Sequence, residues 1–232
     1  MATILPYDPK VEVLWATPSP VDAVTRACSV TQRGVFAQGV GLTCNQAKLI
    51  QFLYHAGHGN PLEHAVISFD ITQISRACAD QLRTHRMASH TMSSTHYQDH
   101  GGYTHRVDSW EFITDKHLVS GAIEHAMAAY HKLTAHRDVP VSVARQILPL
   151  STEARMILTI NARSLMHMLP LRMCYRNTVE TILLAERLHK AAHSWFPELF
   201  ACAMKPCDYE GCKEGKMKCN YAAVEKRLEQ YA

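Results

Sequence analysis

The stretch QLRTHRMASHTMSSTHY, residues 81–97, decides how this chain is read. His85 and Arg86 are followed by seven residues and then by Ser94, with Tyr97 just beyond. A guanidinium suits phosphate because its fork of donors matches two oxygens at once. A Ser hydroxyl and the backbone N–H groups of a turn complete such an anion cradle. His85 offers a ring that stacks on a planar group or moves a proton near neutral pH. Taken alone, the stretch is equally a surface turn carrying ordinary His and Arg residues.

Working outward, residues 74–84 read as the helix that delivers this stretch, and residues 65–72 (AVISFDIT) as the strand before it. A loop rich in polar residues is expected to follow this helix, running through Gly101-Gly102. Residues 10–16 (KVEVLWA) alternate and carry Val and Trp, which predicts a strand. Ser19-Pro20 then opens a helix toward Cys28, with Pro near its first position. Residues 44–56 place Ala47, Ile50, Leu53 and Tyr54 on one helical face, and Gly57 stops the helix. Residues 117–134 form an amphipathic helix whose stripe is Leu118, Ala122, Ile123, Ala126, Met127, Tyr130 and Leu133, serving as a core or subunit face. Residues 156–160 are a strand that enters a helix over 161–168. A last helix spans 177–192, with Asn177 and Glu180 spaced as a capping box. The mixture predicts an α+β fold without internal repeats.

The length of 232 residues suits one large domain, or one domain plus a small appendage. We place the boundary at 200, with residues 201–232 forming a tail rich in Cys and Lys. A net charge of +3 is too mild to argue for nucleic acid. No apolar run reaches 18 residues, so no membrane partner is expected. The first residues, MATILPYDPK, lack a secretion pattern, which predicts a cytoplasmic protein with reduced thiols. Cys28, Cys44, Cys78 and Cys174 lie in apolar patterns and read as core residues. Cys202, Cys207, Cys212 and Cys219 are separated by four, four and six residues. Four thiolates are able to hold zinc, but no paired C-x2-C knuckle is present, and no metal site is assigned.

Three further segments settle the reading of residues 81–97. They are HGNPLEHAVISFDI (58–71), ARQILP (144–149) and NARSLMHMLPLR (161–172). In order and spacing, the four together resemble the flavin-dependent thymidylate synthases over roughly residues 10–200. That family carries His-x-x-Pro-x-Glu-His, Arg-His-Arg followed by seven residues and then Ser, Ala-Arg-x-x-Leu-Pro, and Asn-Ala-Arg-Ser-Leu ending in Leu-x-Leu-Arg. The resemblance implies a mixed sheet packed with helices, a homotetramer with sites shared between subunits, and FAD, NADPH and methylenetetrahydrofolate as cofactors. It implies a uridylate nucleotide, UMP or dUMP, as substrate.

The resemblance places FAD at Asn60, Thr84, His85, Arg86, Met92, Asn161, Ala162, Arg163 and His167. It places the nucleotide at Gln81, Leu82, Arg83, Thr84, Met92, Ser93, Ser94, Thr95, His96 and Arg145. Arg172 matches the Arg held against the pyrimidine carbonyl, where a cation stabilises charge as the ring is reduced. We take Arg172 as the catalytic residue. Its plainer role would be a counter-charge at a helix C-terminus. His58 matches a position near the flavin and folate entrance. Ser94 lacks a base and an orienting partner, and so does not read as a nucleophile.

Four positions depart from the family pattern. Thr84 stands for an Arg, Met92 for a Glu, His96 for an Arg and His167 for an Asn. The Thr-His-Arg variant resembles the uridylate carbon-5 methylase branch of polyoxin-type antibiotic pathways. A pocket seldom rejects a hydroxyl that it merely tolerates, so UMP is expected to be accepted beside dUMP. The alternatives are a strict thymidylate synthase, a family member that binds flavin without turnover, and a zinc-stabilised module that binds nucleotides or RNA without chemistry.

Overall fold

The structure is a computed structural model and describes residues 2–31, 45–97, 102, 104–108, 115–202, 205, 207, 211–212 and 214–231. The α+β class holds. Its centre is an antiparallel sheet of four strands in the order β2-β3-β6-β4, namely Lys10–Ala16, Val66–Ser75, Glu153–Asn161 and Ala88–Met92. Parallel pairing is confined to a separate ribbon of β1 (Thr3–Pro6) and β5 (Thr104–Val107). No helix among the described residues is long and apolar enough to cross a membrane.

Period-two alternation in β3 and β6 builds the core face. Ile67, Phe69 and Ile71 stand opposite Ile160, Leu158 and Met156, and all six are buried. Burying such a side chain stabilises by about 1.5–3 kcal/mol. Against this face pack α1 (Pro20–Thr31), α2 (Gln46–His55), α6 (Ala162–Arg172), α7 (Val179–Trp195) and α8 (Pro197–Phe200). The opposite face of β3 is polar yet shielded. Ser68 bonds Thr159 at 2.9 Å, and Asp70 accepts from Arg155 Nε at 2.9 Å. That guanidinium holds the Asp70 carboxyl below the usual carboxylate range.

The expected elements over 10–16, 44–56, 65–72 and 156–160 are present with small changes at their ends. Three expectations need correction. The polar loop after residue 86 is in part β4, the sheet edge, where His90 pairs with Leu158 and Met92 with Met156. An edge strand bonds on one side only, so Ser89 and Thr91 stay exposed and the segment lacks an apolar signature. The helix expected over 74–84 is shorter, α3 (Arg76–Leu82), because Ile74 and Ser75 still pair with β6. The capping box of α7 does not form. Its N-cap is Thr178, while Glu180 turns inward and is buried.

In α4 (Lys116–Ala135) only Ile123, Met127 and Tyr130 are buried, and Leu118 and Ala122 face outward. This helix carries a second, smaller core with Val107 and Ala144. Cys28 and Cys78 lie in the main core, Cys174 is half-buried, and Cys44 falls outside the described residues. The tail ends in α9 (Tyr221–Leu228). Tyr221 packs on Tyr175, Tyr231 donates to Asp108 at 2.9 Å, and Arg227 pairs with Asp108. Cys202, Cys207, Cys212 and Cys219 are half-buried and take part in no disulfide among the described residues. Among the described residues no three His, Cys, Asp or Glu side chains come together to hold a metal.

The register of β3 shifts between Ile71 and Ile74, where Gln73 has φ of 60°. This bulge keeps Ile74 and Ser75 paired and sets Ser75 as N-cap of α3, accepting from Cys78 N at 3.1 Å. A side chain in the left-handed region costs about 1–2 kcal/mol, more for a β-branched residue. Gln73→Val is expected to lower stability by about 1 kcal/mol or more. Urea denaturation checks it.

Candidate active site

Two chain ends meet here. The turn after α3 presents Thr84, His85 and Arg86, and the last residue of α6 is Arg172. Arg172 Nε donates to His85 Nε2 at 2.8 Å, and an Arg172 Nη donates to Thr84 Oγ1 at 2.8 Å. Thr84 Oγ1 in turn donates to Gln81 O at 2.8 Å, which orients its lone pairs toward Arg172. An acceptor Nε2 requires neutral imidazole with its proton on Nδ1. Burial first, then the Arg172 charge, lowers the His85 pKa to about 4, which keeps the ring neutral. The departure at position 84 thereby gains a role. An Arg there would set a second cation beside Arg172, whereas Thr supplies a hydrogen-bond acceptor.

Glu63, Thr84, His85, Arg86, Met87, Arg163, Ser164 and His167 line a cavity of about 550 Å³ beside this contact. A second cavity of about 560 Å³ adjoins it, and both are lined by Arg163. The second is lined by Leu49, Phe52 and Leu53 together with His58, Gly59 and Asn60. Arg163 is steered from two sides. Its Nη1 donates to Glu63 at 2.5 Å, and its chain lies against Gly59, where an added Cβ would sit 2.5 Å from Nε. Both charges are half exposed, so the pair orients more than it stabilises. α6 starts where Asn161 Oδ1 accepts from Ser164 N at 2.8 Å.

These residues suit a large, partly anionic cofactor with a planar ring system. Arg86 and Arg163 offer cations, His85 a neutral ring, and the adjoining cavity an apolar wall.

The structure sorts the residues singled out in the sequence. Thr84, His85, Arg86, Arg163, His167 and Arg172 come together at the first cavity, with Asn161 at its helix start. Asn60 and His58 line the second. Ala162 does not reach either cavity: it is fully buried and its N–H donates to Ala65 O at 2.8 Å. Leu82 is likewise in the core, and Met92 packs against it. Arg83 is exposed and pairs with Asp80.

Ser93, Ser94, Thr95, His96 and Arg145 form a separate cluster. Arg145 Nη1 donates to Thr95 Oγ1 at 3.4 Å, Arg76 Nη1 to Ser93 O at 3.0 Å, and His96 N to Ser94 Oγ at 3.1 Å. The five residues of β4 carry the chain from one cluster to the other, roughly 16 Å at the rise of a strand. Glu63, Met87 and Ser164 were missed as site residues. Glu63 stood in the quoted 58–71 segment, but its partner Arg163 is 100 positions away and only the fold joins them.

A sequence model of the family described as "Thymidylate synthase complementing protein" matches residues 12–198. A flavin-dependent thymidylate synthase of Geobacter sulfurreducens is 33% identical over 226 residues, covering 94% of this chain and 97% of that relative. One of Clostridium tetani is 26% identical over 246 residues, covering 94% and 96%. Among solved structures, the UMP/dUMP methylase PolB from Streptomyces cacaoi bound with 5-Br dUMP has a TM-score of 0.75 at 24% identity, covering 86% of this chain and 95% of that one. Its complex with 5-Br UMP has a TM-score of 0.73 at 23% identity, covering 87% and 96%. At these identities the likeness establishes the shared fold.

A folded-state pKa near 4 lies below the unfolded histidine value of about 6.5. His85 therefore contributes stability above pH 6.5 that is lost as pH falls from 6.5 through 4. NMR titration is expected to place its midpoint near 4. Arg172→Ala removes the neighbouring cation and opens the ring to water, so the midpoint should rise.

Proposed function

This chain belongs to the thymidylate synthase complementing protein family, the flavin-dependent thymidylate synthases, and on that premise we propose that it methylates uridylate reductively at carbon 5. The observation that carries the reading is Arg172, clamped by His85 and Thr84 beside a cavity that holds Arg86 and Arg163. A guanidinium has five N–H donors. Two go to His85 and Thr84, and three remain for a substrate among the described contacts. Arg172 is the catalytic residue: it meets a uracil carbonyl oxygen and stabilises the charge that builds on the ring as carbon 5 reacts. A guanidinium fixed in advance does not reorganise during reaction, which makes that stabilisation effective.

Bound FAD supplies the reducing equivalents, drawn from NADPH, and methylenetetrahydrofolate supplies the carbon. Arg86 and Arg163 hold anionic parts of FAD, the His85 ring packs against it, and His58 borders the folate side. Ser93, Ser94, Thr95 and Arg145 take the nucleotide phosphate. β4 separates these residues in the chain from Thr84 and His85, which fits a site that a second copy completes. That supports a homotetramer with sites shared between subunits. Residues 1–200 carry the chemistry, and residues 201–232 are an appendage whose Tyr221 and Tyr231 contact Tyr175 and Asp108.

The substrate we assign is UMP as well as dUMP. Thr84 is shorter than the family's Arg and leaves space beside Arg172, and the Streptomyces cacaoi methylase of like fold binds 5-bromo forms of both nucleotides. A uridylate methylase of this breadth fits nucleoside antibiotic biosynthesis. The second reading is a strict dUMP thymidylate synthase, favoured by the 33% identical Geobacter sulfurreducens relative.

Purified protein is expected to be yellow with FAD and to methylate both nucleotides with methylenetetrahydrofolate. Undetectable turnover of UMP leaves the strict synthase. Arg172→Ala should keep FAD and lose about 10²–10³-fold in turnover.

A further inference from the structure

Two limbs meet at the Arg172 contact, and one connector is bonded to both. The first limb is Ser75 and α3, ending in Thr84 and His85. The second is α6, ending in Arg172. This connector is residues 173–178, between α6 and α7, together with the first turn of α7, which holds Glu180. In this connector, Asn177 Nδ2 donates to Leu171 O at 2.8 Å and to Cys174 O at 2.9 Å. Leu171 immediately precedes Arg172, so Asn177 ties off the end of the helix that carries the guanidinium.

Three positions on, Glu180 is 2% exposed. Its carboxylate accepts from Ser75 N and from Ser75 Oγ, each at 2.5 Å. The same Ser75 Oγ caps α3 by accepting from Cys78 N. Burial pushes the Glu180 carboxyl up to about 7, against the bonds from Ser75 and the Arg106 charge. Keeping an acid there is costly unless its bonds matter. Neither Asn177 nor Glu180 lines either of the two cavities described above.

We propose that Asn177 and Glu180 are positioning residues: through Leu171 and Ser75 they set α6 against α3 at the one angle where Arg172 donates to both His85 and Thr84. This inference rests on Arg172 being the cation that meets the substrate. A shift of about 1 Å at a site distant from the chemistry costs up to about 100-fold in rate. The same shift stretches a 2.8 Å bond beyond hydrogen-bond range. The sequence spacing had suggested that Asn177 and Glu180 serve each other as a capping box. Instead, one faces each limb.

The test uses Ser75→Ala, Asn177→Ala and Glu180→Gln in the full chain. The readouts are the His85 NMR titration before flavin is added, and turnover with FAD bound. The Ser75→Ala and Asn177→Ala proteins should fold, show a His85 midpoint raised by about one pH unit as the Arg172 contact loosens, and lose about tenfold or more in kcat with a smaller change in nucleotide KM. Glu180→Gln keeps an oxygen for the Ser75 N–H and an amide for its hydroxyl, and should stay near wild type in both. Alanine variants that melt lower but keep the wild-type His85 midpoint overturn the proposal. A raised midpoint in a chain whose wild type methylates no uridylate upholds the positioning and overturns the proposed reaction instead.

Discussion

The hydrogen bond from Arg172 to a neutral His85 is the contact on which the rest of this structure depends. An imidazole accepts a guanidinium N–H only without its second proton, and burial beside a cation keeps that proton off. The two groups thus hold each other in the states the site requires. Arg172 stays charged and fixed, and His85 stays uncharged at the cavity wall. Thr84 adds a second fixed point. A guanidinium held at two atoms has little freedom left.

The sheet sets the distances that this contact cannot. β3 ends in a bulge that hands Ser75 to α3, and β6 runs directly into Asn161 and α6. These neighbouring strands launch the two helices whose C-terminal ends meet at the site. β4 then carries the chain away along the opposite edge of β6, delivering Ser93 to His96 toward Arg145. One chain thereby places the Thr84–His85–Arg172 contact and the Thr95–Arg145 contact at opposite ends of β4 in the sequence.

Much of this was readable in the residues. The alternation of 10–16 and 65–72, the stripe with Gly57 behind it, and the quoted motifs each report a local rule. Period, cap or turn is enough to find them, and Thr84, His85, Arg163 and Arg172 were found by motif. What failed was non-local. β4 is polar on its exposed positions because an edge strand borrows half its stability from a neighbour 70 residues on. Glu180 fits a local capping pattern, yet Ser75, 105 positions away, wins its carboxylate. Leu82 and Ala162 lie within motif segments and are buried, since successive helical positions rotate by about 100° and some turn to the core. The acceptor role of Thr84 was invisible because a loss of charge in the sequence became a gain of geometry only once Arg172 stood beside it.

The most direct measurement is a crystal structure of the FAD-bound protein with UMP or dUMP. The account predicts a uracil carbonyl oxygen within hydrogen-bond distance of an Arg172 Nη, with Arg172 still donating to His85 and Thr84. A nucleotide whose base lies away from Arg172, or an Arg172 that has left His85 to bind a phosphate, would contradict it.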